Sequence, residues 1–171
     1  MSEGLPPLPR ACPTFPGAPI SRSLAAMPPA STCLDPAVHR SIVQAAIDAW
    51  PLEAAGVLGG HRDDDAILVD RFLPTANAAG SADGFAVTPT DFASAEAALR
   101  ATGRVWLGFV HSHPDGAAAP SDRDRRELWR QCLHLVVGVD GRGCARVCAF
   151  WLDGDGCHAL PLRTSSGETA R

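Results

Sequence analysis

Lysine and tyrosine are both absent from this 171-residue chain, and all fifteen of its basic residues are arginine. The missing lysine goes with an abundance of Ala, Gly, Pro and Arg, the bias of a GC-rich genome. An excess of positive charge is also lacking. The formal net charge of -4 leaves no broad basic surface for nucleic acid or an anionic membrane. No apolar run reaches the ~18 residues of a membrane span, and the N-terminus has no uninterrupted apolar segment behind basic residues, so it does not read as a secretory signal. The expected location is the cytoplasm, with reduced thiols. Cys12, Cys33, Cys132, Cys144, Cys148 and Cys157 contain no C-x-x-C pair, and an even count in a chain this long does not make a disulfide scaffold. Cys132 and Cys148 lie in apolar runs and are expected as small core residues. No internal repeat is present.

What is there is globular. Hydrophobic residues make up 46% and charged residues 20%, far from the composition of disorder, and the length suits one domain with a real core. Residues 1–30 carry Pro6, Pro7, Pro9, Pro13, Pro16, Pro19, Pro28 and Pro29. Such a stretch lacks backbone donors and reads as an extended, dispensable arm, with Met27 as an alternative start. The folded domain is expected over 33–162, beginning near Leu34, and a polar, fraying tail over 163–171.

Asp35-Pro36 opens a helix, Asp as cap and Pro at the first helical position, with Val38, Ile42, Val43, Ala46, Ile47 and Trp50 at helical spacing. Pro51 ends it. Glu53 to Gly60 reads as a strand buried on both faces, and Ala66 to Leu73 as the next strand after an Arg62 to Asp65 turn. Gly84 to Thr88 reads as a short strand, followed by a helix from Pro89 to about Thr102 that Gly103 stops. Val105 to His113 is a strand, and Asp122 to Cys132 a helix with Leu128 and Trp129 inward. Leu133 to Val139, Cys144 to Leu152 and Cys157 to Leu162 complete the strands. Consecutive strands on short turns must be antiparallel. The expected fold is an α/β sandwich with a curved, partly antiparallel sheet.

Chemistry concentrates in Val105 to Asp124. The strand ends in His111-Ser112-His113-Pro114, so both imidazoles project from one face and Ser112 from the other. A small-residue loop leads to Ser121, where a helix begins, bringing Asp124 back towards the histidines. Two nitrogens and an oxygen suit zinc with one coordination position left for water. Ser121 with Asp124 also fits the S-x-x-D capping pattern, in which the acid only satisfies orphan amides. Asp122 lies at the first helical position, favoured by the helix dipole alone, and Asp115 in the loop is expected to face solvent. His39, His61, His134 and His158 lack ligand-like partners and read as ordinary histidines.

The HSHP run, ten residues between His113 and Asp124, and Pro120-Ser121 before that acid resemble the signature of the JAMM (MPN+/JAB) zinc metalloproteases. Pro51-Leu52-Glu53-Ala54-Ala55-Gly56 resembles the family's P-x-E-x-x-G segment, and the likeness extends to Asn77 and Phe85 to Pro89. It covers about Cys33 to Leu162 and is strongest to the short bacterial members. It implies a three-layer, deaminase-like JAB/MPN fold, with one Zn2+ per chain held by His111, His113 and Asp124. Glu53 would be the general acid and base, and Ser121 would donate to the developing oxyanion.

The implied reaction is hydrolysis of the amide after the C-terminal tail of a ubiquitin-like or sulfur-carrier protein, with an activating enzyme as a possible further partner. Cys132-Leu133 passes directly into the next strand, where larger relatives that select polyubiquitin linkages carry an insertion. Gly56, Gly59, Gly60 and Gly116 to Ala119 are expected to leave room beside the metal for a slim tail. An enzyme beside a lysine-conjugating system would gain from having no lysine, a second reading of that absence. The rivals are a non-catalytic JAMM-like scaffold, which would lose ligands, and a nucleobase deaminase, whose H-x-E and P-C-x-x-C are missing.

Overall fold

The computed structural model describes residues 28–63, 65–77, 79, 84–153 and 156–164. The elements run β1 (Ser31–Leu34), α1 (Pro36–Ala49), β2 (Ala55–Arg62), β3 (Ala66–Thr75), α2 (Pro89–Ala101), β4 (Val105–His113), α3 (Asp122–Glu127), β5 (Cys132–Val139), β6 (Ala145–Asp153), β7 (Gly156–Leu160) and β8 (Leu162–Thr164). All strands join one sheet in the order β7-β6-β5-β4-β2-β3-β1-β8. The neighbours β2/β3, β2/β4, β5/β6 and β6/β7 are antiparallel; β4/β5, β1/β3 and β1/β8 are parallel. This is the α/β arrangement expected, a mixed sheet with helices on its faces.

Pro161 alone separates β7 from β8, yet the two lie at opposite ends of the strand order. The sheet therefore curls until its edges approach. The single strand expected over Cys157 to Leu162 is two strands, because Pro161 cannot donate to a ladder and its carbonyl instead accepts from Thr32 N–H. β1 also lies before the expected start at Leu34. Four residues after a proline run carry no readable period, and β1 owes its existence to parallel pairing with β3, Ser31 against Ala66 and Leu34 against Val69.

The two sheet faces hold different cores. α1, capped by Asp35 Oδ1 accepting from Ala37 and Val38 N–H, buries Val38, Ile42 and Ala46 against Leu58, Val69, Val110, Leu135 and Val137. α2, capped by Thr88 and stopped at Gly103 with φ +71°, buries Phe92, Ala95 and Leu99 against Val57, Phe109, Trp129 and Cys132. Cys148 is only half-buried, not the core residue expected, since its neighbours Val147 and Ala149 supply the inward face of β6.

β4 sits at the centre, and its register decides where the histidines point. Against β2, Gly108 pairs with Leu58 but Trp106 with Gly59, so Leu107 is an extra residue on β4. The bulge reverses the alternation: Leu107 packs on the α1 side, while Phe109 belongs to the α2 side. His111 and His113 share the parity of Phe109 and so face the α2 side with it. At the bulge an added Cβ on Gly108 would lie 1.8 Å from Leu133 O of β5. Gly108→Ala must push β4 off β5, at a cost of about 1–3 kcal/mol. A shifted urea midpoint checks this; an unchanged midpoint would show that the bulge needs no glycine.

His134 is a fully buried β5 residue on the same side. Its Nε2–H donates to Trp129 O at 2.8 Å, and burial pushes its pKa down to about 4. Unfolded, the ring takes a proton near its ordinary 6.5, so between those values the unfolded chain binds more protons. The stability at stake is complete above pH ~6.5 and lost as pH falls towards ~4, roughly 3 kcal/mol in all. Urea midpoints measured from pH 7 to 4 fall more steeply for wild type than for His134→Gln; parallel curves would remove His134 from the account.

Candidate metal centre

β4 delivers both histidines at its end, where Pro114 stops the strand. Ser112, on the other face, is a structural clasp. Its Oγ accepts from Ala54 N–H at 2.8 Å and its N–H donates to Ala54 O, tying β4 to the residue after Glu53. The loop that follows lies close over β5, with Gly116 O only 2.2 Å from where a Cβ on Gly138 would sit. It returns Ala117 O to within 3.0 Å of His113 Nδ1. That bond places the proton on Nδ1 and leaves the Nε2 lone pair pointing inward.

α3 is shorter than expected, ending at Glu127 instead of Cys132. Leu128 is already extended (φ -67°, ψ 151°), Trp129 drops into the α2-side core, and Gln131 takes φ 60° before β5 starts alongside β4. Burial of Trp129 and the parallel pairing override the helical period. The one turn that forms is held by a complete capping box: Ser121 Oγ accepts from Asp124 N–H, and Asp124 Oδ2 accepts from Ser121 N–H at 2.7 Å. Asp124 is thus a cap and also a member of the cluster.

His111 Nε2 lies 3.1 Å from His113 Nε2, His113 Nε2 3.1 Å from Asp124 Oδ2, and His111 Nε2 3.5 Å from the same oxygen. All three residues are buried. Zinc ligands at ~2.0–2.1 Å in a tetrahedron stand about 3.3 Å apart, so this triangle has the size of one tetrahedral face. Two imidazole lone pairs and a carboxylate converging at this distance repel one another unless a cation or proton lies between them. The residues fit a single metal ion.

The electrostatics agree. Burial would raise the Asp124 carboxyl, but when no metal lies between them His111 and His113, protonated at Nε2, together with the Ser121 hydroxyl, outweigh it and hold the group well below the usual carboxylate range. Burial would lower His113, and the hydrogen bond and charge of Asp124, with the charge of Glu53, raise it overall. For His111, enclosed completely, burial prevails and the pKa falls.

Glu53 is buried beside this cluster, close enough for its charge to act on both His113 and Arg123. The expected strand starts two residues later, at Ala55, so Glu53 stands in the turn before β2. Asn77 fixes that turn: its Nδ2 donates to Glu53 O (3.0 Å) and Gly84 O (3.1 Å), and its Oδ1 accepts from Ala86 N–H. Gly84 to Thr88, expected as a strand, belongs to no sheet, and its polar groups are partly taken by Asn77. Asp115 is exposed, as expected, and so is Asp122 at the first position of α3.

Ser121 Oγ donates to Asp124 Oδ2 at 2.7 Å in this structure. One expectation is corrected: Gly56, Gly59 and Gly60 make no tail groove. A Cβ there would strike Phe72, Leu99 and Leu68 O, so these glycines admit the protein's own packing.

Two further neighbours of the site are Phe85, which the family likeness included without a role, and Arg123, which carried no sequence signal. Phe85 stacks on His111 with centroids 4.5 Å apart and planes 17° apart, shielding the ring from one side. Arg123 reaches back over Gly84, where a Cβ would lie 2.4 Å from Nη1, and its Nε donates to Glu127. An aromatic in a short expected strand and an arginine on a charged helix look like core and solvated face respectively; their places at the site follow from the tertiary approach.

Residues 35–152, two thirds of the chain, match the family described as prokaryotic homologs of the JAB domain. The chain belongs to this prokaryotic JAB (JAMM) family. It is 35% identical over 94 residues to desampylase of Haloferax volcanii, a match spanning 54% of this chain and 66% of that protein. It is 33% identical over 92 residues to a probable TtuB-protein conjugate cleaving protease of Thermus thermophilus, across 53% of this chain and 59% of the relative. The chain thus spans a little under two thirds of the curated relatives it matches. Among solved structures, a Desulfitobacterium hafniense protein superposes with TM-score 0.72 at 29% identity, covering 78% of this chain and 92% of that one. A Salinibacter ruber protein gives TM-score 0.60 at 25% identity, over 81% and 95%.

Proposed function

We propose that this JAB-family chain is a zinc-dependent peptidase or isopeptidase that hydrolyses the amide after the C-terminal tail of a ubiquitin-like or sulfur-carrier protein. The observation that carries the reading is the buried His111, His113, Asp124 triangle with Glu53 beside it. The names of the Haloferax and Thermus relatives supply the substrate class, conjugates of small ubiquitin-like proteins.

His111 and His113 through Nε2, with Asp124 through Oδ2, would hold one Zn2+. Bound there, zinc supplies a Lewis acid and lowers the pKa of a water towards ~7. Glu53 takes the proton lost on attack and returns it to the leaving amine. His113 Nδ1 and Ala117 O fix the ring that faces the reacting centre. Phe85, flat against His111, keeps solvent from that side. Ser121 can donate to the oxyanion once its hydroxyl rotates off Asp124 Oδ2, a change that needs no backbone movement. The Gly84 to Thr88 segment, outside the sheet, offers a backbone edge along which a tail can lie. An activating enzyme for the same ubiquitin-like protein is the expected associate.

The competing reading is a binding scaffold of the same fold. It is disfavoured because the three ligands and Glu53 are all present and assembled. Metal analysis with an activity assay separates them: the enzyme carries about one zinc per chain and releases a ubiquitin-like protein from the target to which it is conjugated. A protein that purifies metal-free and retains the conjugate uncut is a scaffold.

A further inference from the structure

Trp50 and Leu52 leave 46% and 44% of their surface in solvent, although both are large and apolar. They flank Pro51 in the turn from α1 to Glu53, so this apolar step leads directly into the candidate site's acid. Trp50 is not loose. Its indole N–H donates to Pro114 O at 3.3 Å, and its ring lies against Gly141 in the β5–β6 turn, Cζ2 being 3.1 Å from where a Cβ would stand. It therefore spans the end of α1, the strand end that carries His113, and the turn after β5, yet it is left half uncovered. Leu52 follows with its N–H tied to Ala49 O, next to Glu53. A pre-positioned aromatic with an aliphatic neighbour loses little entropy on contact and has the composition of a binding hot spot.

The surroundings are acidic. Asp115 is exposed directly after Pro114, and Asp140 precedes Gly141 in the turn under the indole. Each carboxylate is held by a local bond, to Ala117 N–H and to the N–H groups of Arg142 and Cys144 respectively, so two charges are fixed on the side of the turn where Trp50 lies. Arg142, exposed in the same turn, is the opposing charge nearby.

We propose that Trp50, Pro51 and Leu52 dock the folded body of the ubiquitin-like protein whose tail enters the site, through an aliphatic patch bordered by basic side chains. The inference rests on the peptidase reading above and gives it a partner surface. Continuity supports this occupant, since the step joins Glu53 through the chain and His113 through Pro114. So does the logic of the reaction. A protease that frees one small protein from many targets finds a constant surface only on that protein, and the leaving groups differ.

The test uses the full chain and two substrates with the same scissile bond. One is TtuB, the protein named for the Thermus relative, fused through its C-terminal tail to a short peptide; the other is the tail and peptide alone. Leu52→Asp and Trp50→Ala should each lower kcat/KM on the folded fusion about tenfold or more, mainly through KM, while the peptide is cut within about twofold of the wild-type rate. Equal loss on both substrates would show damage to the site and overturn docking. So would no loss on the fusion, or a loss seen only when the leaving peptide is replaced by a folded protein. Binding to the uncut fusion, followed by titration calorimetry, keeps the two claims apart. Leu52-dependent binding without any cleavage by wild type sinks the peptidase reading and keeps the platform. Cleavage indifferent to Leu52 keeps the peptidase and sinks the platform, and neither binding nor cleavage overturns both.

Discussion

Glu53→Gln should keep the fold and the bound zinc and lose ~10²-fold to 10⁴-fold in turnover, a rise of about 3–5 kcal/mol in the barrier. The amide matches the carboxylate in size and still accepts a hydrogen bond, so the buried site beside His113 is filled as before. What vanishes is basicity. With no group to take the proton at attack and return it to the leaving amine, the remaining catalysis is only what positioning and the Lewis acid provide. The contacts that hold this segment use main chain, Asn77 on Glu53 O and Ser112 on Ala54 N–H, and the substitution does not touch them. The check is a single-turnover rate beside a zinc determination. Wild-type turnover in Glu53→Gln would assign the proton transfer elsewhere; loss of zinc as well would show that Glu53 supports the metal site.

Removing Asp124 should be equally severe by another route. Its Oδ2 is the third corner of the triangle and also accepts from the Ser121 backbone and hydroxyl. Asp124→Ala therefore takes zinc from about one per chain to near zero and abolishes cleavage, since two imidazoles alone leave the coordination sphere incomplete. It also opens the capping box, worth ~1 kcal/mol at a helix start. Asp122→Ala, two residues earlier and exposed, separates the two effects: it should keep full zinc. Retained zinc in Asp124→Ala with loss in Asp122→Ala would reverse the choice of acid.

The site was legible in the sequence because its parts are local. An H-x-H at a strand end needs only the two-residue period, and a carboxylate three residues into a helix needs only the cap rule. Both hold here: Asp124 caps the helix and its carboxylate also meets the two imidazoles, so the capping and ligand readings are compatible. The helices α1 and α2 were likewise written in caps, prolines and Gly103. What was not legible depends on distant partners. The bulge at Leu107 and Gly108 is invisible in an apolar run, because only the register against β2 counts the extra residue. α3 breaks at Leu128 against its own periodicity because Trp129 is drawn into the core. The glycines of β2 looked like room for a substrate until Phe72 and Leu99 filled it. Residues 1–27 and 165–171, expected as arm and tail, lie outside the described residues.

The most direct test of the central claim is the intact mass of TtuB fused through its tail to a peptide, followed during incubation with the full chain. The account predicts one new species, cut at the amide after the tail. It should be absent with a metal chelator, restored by about one equivalent of zinc, and absent with Glu53→Gln. Cleavage that survives the chelator, falls within the folded body, or proceeds equally on unfolded casein would contradict it.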